Sequence, residues 1–250
     1  KNENQNAVTN LGKMLFFDPV LSHNNERSCA SCHNPEKAFT DGQAKSIALD
    51  FKGTVNRNSP TLINSIYADR LFHDLRSENL KGQIEHVIFS EKEFHTNYHE
   101  IIKKLNQSKE YKEYFQKAFP NQPISKFTLS RALANYVKTL TGFNSDFDKS
   151  IRKEKDVNED VVAGFNLFMG KGNCGTCHFA PTFSGLVAPH FKESESEVLG
   201  MTATNDLKNP VLDADLGRFT SPVIKEKVNF YKHSFKTSTV RNIELTAPYM

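Results

Sequence analysis

The chain has 250 residues, enough for one large domain or two small ones, each with its own core. A formal net charge of +3, with 24% charged residues and no basic stripe interleaved with aromatics, leaves no electrostatic footprint for nucleic acid. No apolar run approaches the roughly 20 residues that span a bilayer. The polar, Asn-rich start at Lys1–Asn10 is not a charged-then-apolar leader, so any export signal is expected to have been removed or never included.

The first predicted element is a helix over Ala7–Phe17, where Val8, Leu11 and Leu15 recur at helical spacing and Asp18-Pro19 stops the run. Ser28-Cys29-Ala30-Ser31-Cys32-His33 follows, then a loop over Asn34–Pro60 rich in Gly, Asn, Asp and Lys. Helical patterns resume at Leu80–Phe89 (Leu80, Ile84, Val87, Ile88), Tyr98–Leu105 (Ile101, Ile102, Leu105) and Tyr111–Phe119. The clearest helix is Thr128–Thr141, with Leu129, Leu133, Tyr136, Val137 and Leu140 on one face and Gly142 as a C-terminal stop. Asn144–Lys155 is polar and reads as a connector. A helix over Glu159–Met169 puts Val161, Val162, Phe165 and Phe168 on one side, with Asn158 as N-cap. It runs into Cys174-Gly175-Thr176-Cys177-His178. From Pro181 onward the chain reads mostly as loop, with no sustained period-2 alternation that would build a sheet.

The expectation is therefore a mainly α chain in two halves, 1–142 and 143–250, meeting near Gly142–Lys155. Each half holds one Cys-x-x-Cys-His, and these account for all four cysteines. That spacing is the attachment signature of c-type haem. Cysteines at i and i+3 sit on one face of a helical turn and both reach the porphyrin vinyl groups, while the adjacent His swings beneath the ring to bind iron. Cys29, Cys32 and His33 would hold one haem; Cys174, Cys177 and His178 would hold the other. A four-cysteine zinc site would place its two knuckles roughly 15–20 residues apart, far closer than Cys32 and Cys174. A thioredoxin-like pair would need a strand-to-helix setting that neither motif has. Two covalently bound haem c groups in two cytochrome c-like domains with long connecting loops are thus expected. Covalent attachment and unpaired cysteines imply maturation outside the cytoplasm, in the periplasm or on the cell surface. No cysteine is left for a disulfide.

Two haems suit an electron carrier, with ligands on both faces of both irons, or an enzyme, with one position open below a proton-handling group. Blocks of sequence in order resemble the bacterial dihaem cytochrome c peroxidases. They are Leu11-Gly12, Leu15-Phe16-Phe17-Asp18, Ser28-Cys29-Ala30-Ser31-Cys32-His33, Phe39-Thr40-Asp41-Gly42 and Arg57-Asn58-Ser59-Pro60-Thr61-Leu62. Further on come Ala132-Leu133-Ala134, Phe147-Asp148, Gly164-Phe165-Asn166-Leu167-Phe168, Val240-Arg241-Asn242 and Leu245-Thr246-Ala247-Pro248-Tyr249-Met250.

The resemblance implies that the His33 haem meets hydrogen peroxide and the His178 haem receives electrons from a small donor, a cytochrome c or a cupredoxin. It implies periplasmic residence, with a homodimer as a candidate assembly. Register from Asn58 and Leu80 matches Gln83 and Glu93 to the family's active-site Gln and Glu. Read alone, Glu93 in Glu91-Lys92-Glu93 is a solvated charge; the chemistry gives it the work of moving a proton between the two peroxide oxygens. Asn58, Thr246 and Pro248 match positions that bind calcium in the family, an oxygen set suited to a hard cation.

Three departures carry expectations of their own. No His lies between His33 and His73, and Asp50 stands where many relatives place a capping His, so the first haem is expected to be open without reductive activation. Phe72-His73-Asp74-Leu75-Arg76 stands where the family has Phe-Trp-Asp-Gly-Arg, which puts fast communication between haems in question; His73 also reads as a packed, hydrogen-bonded core residue. The sequence stops at Met250, before the family's sixth ligand to the second haem; Met201 and Met250 are substitutes on chemistry alone. Peroxide reduction leads, and the alternatives are a peroxide-dependent oxidase of a partner protein's aromatic residue and an electron-transfer cytochrome.

Overall fold

A computed structural model describes residues 2–191, 194–204, 206, 208–224 and 229–249. Among them are seven α-helices and one two-stranded sheet, so the chain is mainly helical as expected. None of these helices is long and apolar enough to cross a membrane. The chain falls into two compact units that are discontinuous in sequence. The first comprises the residues up to 66, 79–140 and those from 242 on; the second comprises 67–78 and 141–241. Chain order alone suggested the division 1–142 and 143–250; in the structure the units exchange two short segments.

In the first unit, α1 (Asn2–Phe17) lies against α5 (Lys126–Thr139). Val8, Leu11 and Leu15 of α1 meet Leu129, Leu133, Tyr136 and Val137 of α5 in one buried cluster. The helices approach closely because Gly12 has no side chain: a Cβ there would sit 1.9 Å from the Ala132 carbonyl oxygen. Phe16 fills the adjoining space, 5.1 Å from the Tyr136 ring and 6.2 Å from Phe39. α4 (Lys109–Ala118) is tied to the end of α1 by the Tyr111 hydroxyl, which donates to Asp18 at 2.6 Å. α3 (Tyr98–Gln107) adds Tyr98, bonded to Ser130 at 3.0 Å, and α2 (Leu80–Phe89) is capped by the Asn79 side chain.

α5 stops at Thr139, short of the expected Gly142. The Leu140 amide turns back to the Val137 carbonyl at 3.0 Å, and the Leu140 carbonyl is taken by the Asn64 amide at 2.8 Å, so the helix has closed before the glycine. The polar segment expected as a connector contains α6 (Asp146–Ile151), in the second unit. Ser145 and Asp148 cap it reciprocally, and acidic residues in its first turn suit the positive end of the helix dipole.

The second unit is thinner. α7 spans Glu159–Met169 with the Asn158 cap as expected, yet no residue of it is buried; Val161 and Val162 are 41% and 46% exposed. On its apolar side only Phe165 and Phe168 are half-buried. The sheet is two short antiparallel strands, β1 (Ser196–Val198) and β2 (Ser234–Lys236), too short for alternation to register in the sequence. Lys236 joins β2 to segment 67–78 of the same unit: its amide donates to the His73 carbonyl at 2.7 Å and its ammonium to the Arg70 carbonyl at 3.0 Å.

Two predictions follow from this packing. Gly12→Ala should push α1 off α5 and cost about 1–3 kcal/mol, read as a fall in the thermal midpoint. Burial holds the Lys236 ammonium at about 8, well below its ordinary value. Above that pH the folded chain releases a proton that the unfolded chain keeps until roughly pH 10.5, so stability rises with pH across this window. Urea midpoints compared at pH 7 and pH 10 should show this rise on the order of 1–3 kcal/mol, and Lys236→Met should remove it.

Candidate functional site

Each Cys-x-x-Cys-His forms the same local structure. Cys29–Ser31 and Cys174–Thr176 are single 3₁₀ turns, closed by the Cys32 amide onto the Cys29 carbonyl at 3.2 Å and the Cys177 amide onto the Cys174 carbonyl at 3.3 Å. Side chains at i and i+3 eclipse in a 3₁₀ turn, so both thiols of each pair face one side. All four cysteines are unpaired.

The histidines are oriented alike as well. His33 Nδ1 lies 2.9 Å from the Phe39 carbonyl, and His178 Nδ1 lies 3.3 Å from the Phe183 carbonyl. A carbonyl only accepts, so in each ring Nδ1 carries the proton and Nε2 keeps a lone pair for a metal. Both acceptors are phenylalanines in the left-handed region, at φ 60° and 50°. That turns the carbonyl back toward the histidine. Phe183 is held in turn by the Val240 amide, which donates to the same carbonyl at 2.9 Å. Burial holds His33 below its ordinary value and so favours the neutral ring, partly offset by the Phe39 carbonyl, the Asp41 charge and the Pro60 carbonyl.

Around the first turn the Cys29 thiol is pushed by burial up to about 12. Cys32 is also raised by burial, with Arg27 opposing and Asp41 and Glu93 adding to the shift, while Ser59 hydrogen-bonds it. Glu93 therefore lies within electrostatic reach of the first motif. Its turn is clamped on both sides, by the Leu49 amide to the Lys92 carbonyl at 2.8 Å and the His23 amide to the Phe94 carbonyl at 2.8 Å. Gln83, one turn into α2, has its Oε1 buried with no hydrogen-bond partner among the described residues. Asp50 is exposed and its carboxylate accepts from the Lys52 and Gly53 amides, both at 3.0 Å; these bonds, the Gly53 one foremost, hold it below the usual carboxylate range.

The second turn sits among aromatics. Phe168 lies 6.4 Å from the His178 ring and 5.5 Å from Phe183, and Phe147 packs on Phe165 at 5.1 Å and on Phe183 at 5.8 Å. Arg241 closes the cluster, bonding Asp148 and the Pro181 carbonyl, the latter at 2.8 Å. Burial alone would raise Asp148, but the Arg241 and Ser145 bonds outweigh it and hold the carboxyl low.

Thr246 shares a hydrogen bond with Tyr249 at 2.7 Å, Pro248 is exposed and Asn58 is half-buried. Among the described residues no group of three or more His, Cys, Asp or Glu could hold a metal ion, though the expected calcium donors are of another kind. Met201 is half-buried, with no side-chain role visible; Met250 lies outside the described residues. His73 is half-buried.

Sequence reading missed Phe39, Phe183, Ser59 and Arg27. A faint signal for the first two was present: Phe39-Thr40-Asp41-Gly42 and Phe183-Ser184-Gly185 stand at similar distances after their histidines.

Haem c fits these residues. Paired thiols on one face of a turn, a neutral imidazole with Nε2 free of its orienting bond, and an apolar helix face uncovered by protein suit a large apolar disc with an iron centre. The class they describe is the c-type haem proteins. Residues 6–156 match the di-haem cytochrome c peroxidase family. The chain is 36% identical to cytochrome c551 peroxidase of Nitrosomonas europaea, covering 97% of this chain and 67% of that protein. It is 32% identical to cytochrome c551 peroxidase of Pseudomonas aeruginosa (96% and 66%) and 29% identical to the methylamine utilization protein MauG of Methylorubrum extorquens (96% and 63%). The chain belongs to the di-haem cytochrome c peroxidase family, a family of peroxidase oxidoreductases. It spans about two thirds of the length of these relatives. Among solved structures, a MauG-like protein associated with microbial copper homeostasis superposes at TM-score 0.85 and 28% identity, over 98% of this chain and 71% of that one. The diheme peroxidase BthA of Burkholderia thailandensis, at TM-score 0.75 and 21% identity over 97% and 67%, shares the fold.

Proposed function

We propose that the chain reduces hydrogen peroxide to water at a haem held by Cys29, Cys32 and His33. A second haem, held by Cys174, Cys177 and His178, would take electrons from a small donor such as a cytochrome c or a cupredoxin. The observation that carries this reading is the clamped turn that holds Glu93 where its charge acts on Cys32. The names of the relatives support peroxide as the oxidant, and export to the periplasm follows from the chemistry of haem attachment.

Bound haem supplies an iron that accepts and passes on electrons. The protein's own residues handle the protons. Reduction of one peroxide takes up two electrons and two protons and yields two waters. To break the O–O bond, a proton must leave one oxygen and arrive on the other, which then departs as water. The Glu93 carboxylate takes that proton and returns it to the leaving oxygen. Gln83 Oε1 is a buried acceptor with no hydrogen-bond partner among the described residues, suited to hold a peroxide hydroxyl. His33 keeps Nε2 available through its Nδ1 bond to Phe39. Asp50, committed to its own turn, offers the first haem no cap, in keeping with an open position. Asn58, Thr246 and Pro248 remain the proposed calcium ligands, and a homodimer the proposed assembly.

A peroxide-dependent oxidase of a partner's aromatic residue would use the same first site. His73, standing where the family has its bridging indole, weighs against it.

Two measurements test the reading. Glu93→Gln should lower kcat/KM for peroxide by about 10²–10⁴ with haem content unchanged; an electron carrier would show no change. Intact mass should give two covalent haems, one lost in Cys29→Ser/Cys32→Ser and the other in Cys174→Ser/Cys177→Ser.

A further inference from the structure

Arg27 is buried, 7% exposed, two positions before the first cysteine. Its guanidinium makes three contacts. Nη2 donates to the Ala48 carbonyl at 2.6 Å, the fork lies over the Phe51 ring at 4.4 Å, and Nη1 stands 3.9 Å from the Cys32 sulfur. Nε has no partner, and no carboxylate pairs with the group among the described residues. Removing an arginine from water is costly and is normally offset by an anion. Here the offsets are one carbonyl and one ring face, so the charge remains directed at the sulfur beside it. Of the charges that act on Cys32, Arg27 comes ahead of Asp41 and Glu93, which oppose it.

We infer that Arg27 is a positioning residue that sets the reduction potential of the first haem. This rests on the reading that Cys29 and Cys32 hold that haem. An added electron lowers the positive charge of the iron centre, so a fixed cation at the sulfur edge favours the reduced state. Interior charges are weakly screened, so the effect persists at physiological salt. The same side chain is joined by a short chain of bonds to the turn that carries Glu93. Ala48 precedes Leu49, whose amide holds the Lys92 carbonyl next to Glu93.

The test is a potentiometric titration of the holoprotein, followed by electron paramagnetic resonance so that the two haems are read separately, in Arg27→Gln and Arg27→Lys. In Arg27→Gln the reduction equilibrium of the first haem should fall about tenfold, which is about 59 mV for a one-electron couple, with the second haem unmoved as internal control. Arg27→Lys keeps the charge and should hold the equilibrium within about twofold. If Arg27→Gln loses haem, the lysine variant decides: a tenfold fall there overturns the inference. So does an unchanged first-haem potential in a fully loaded Arg27→Gln protein, or an equal shift of both haems. No peroxide enters these measurements. A potential shift without peroxide turnover in the parent protein would sink the proposed function and leave this inference standing.

Discussion

A neutral imidazole has one proton for two nitrogens, so whatever ties up one ring nitrogen decides which is left with a lone pair. In this chain the tie is a main-chain carbonyl in both motifs, Phe39 for His33 and Phe183 for His178. A carboxylate in that place could take up a proton or swing away; a carbonyl in a left-handed turn can do neither. The ligand-ready form of each histidine is therefore a property of the backbone path just after the motif. The residues that control that path become as important as the cysteines. For the second histidine the dependence reaches far along the chain, because the Val240 amide shares the Phe183 carbonyl.

The blocks that make the sequence resemble its family are largely pairs that meet in space. Leu11-Gly12 and Ala132-Leu133-Ala134 are the two sides of one close helix crossing. Phe147-Asp148 and Val240-Arg241-Asn242 are the two sides of one largely buried ion pair. Phe16 and Phe39 touch beside the first motif. Shape complementarity at such contacts tolerates little change of volume on either side, which gives these short blocks a physical reason to occur together.

Legibility followed physical range. α2 and α7 could be bounded from the sequence because a helical period, joined for α7 by its Asn158 cap, acts over a few residues. α6, with six residues, was too short for a period to register; only its Ser145–Asp148 cap betrays it. The end of α5 could not be read because it is decided by Asn64, which is remote in sequence. The cysteines and histidines were legible because their spacing is dictated by haem chemistry. Glu93 was not, since nothing local separates it from the charged residues around it; the family register picked it out. Arg27 escaped both, because its significance comes from Ala48 and Phe51. The side of α7 that carries Val161, Val162, Phe165 and Phe168 is apolar as read, with the two valines exposed and the two phenylalanines half-buried.

The two units trade segments: 67–78 belongs with the later part of the chain, and the stretch from 242 belongs with the earlier part. During synthesis, then, residues 67–78 and 141–241 emerge before the stretch from 242 that packs with the earlier part. Packing that stretch joins residues at opposite ends of the sequence, and contacts of such separation form slowly because chain entropy is lost before any contact is gained. A fragment cut at the midpoint would carry 67–78 away from Lys236, which binds both His73 and Arg70, and would part the stretch from 242 from the rest of the earlier unit. The two halves of the chain are thus not separable modules.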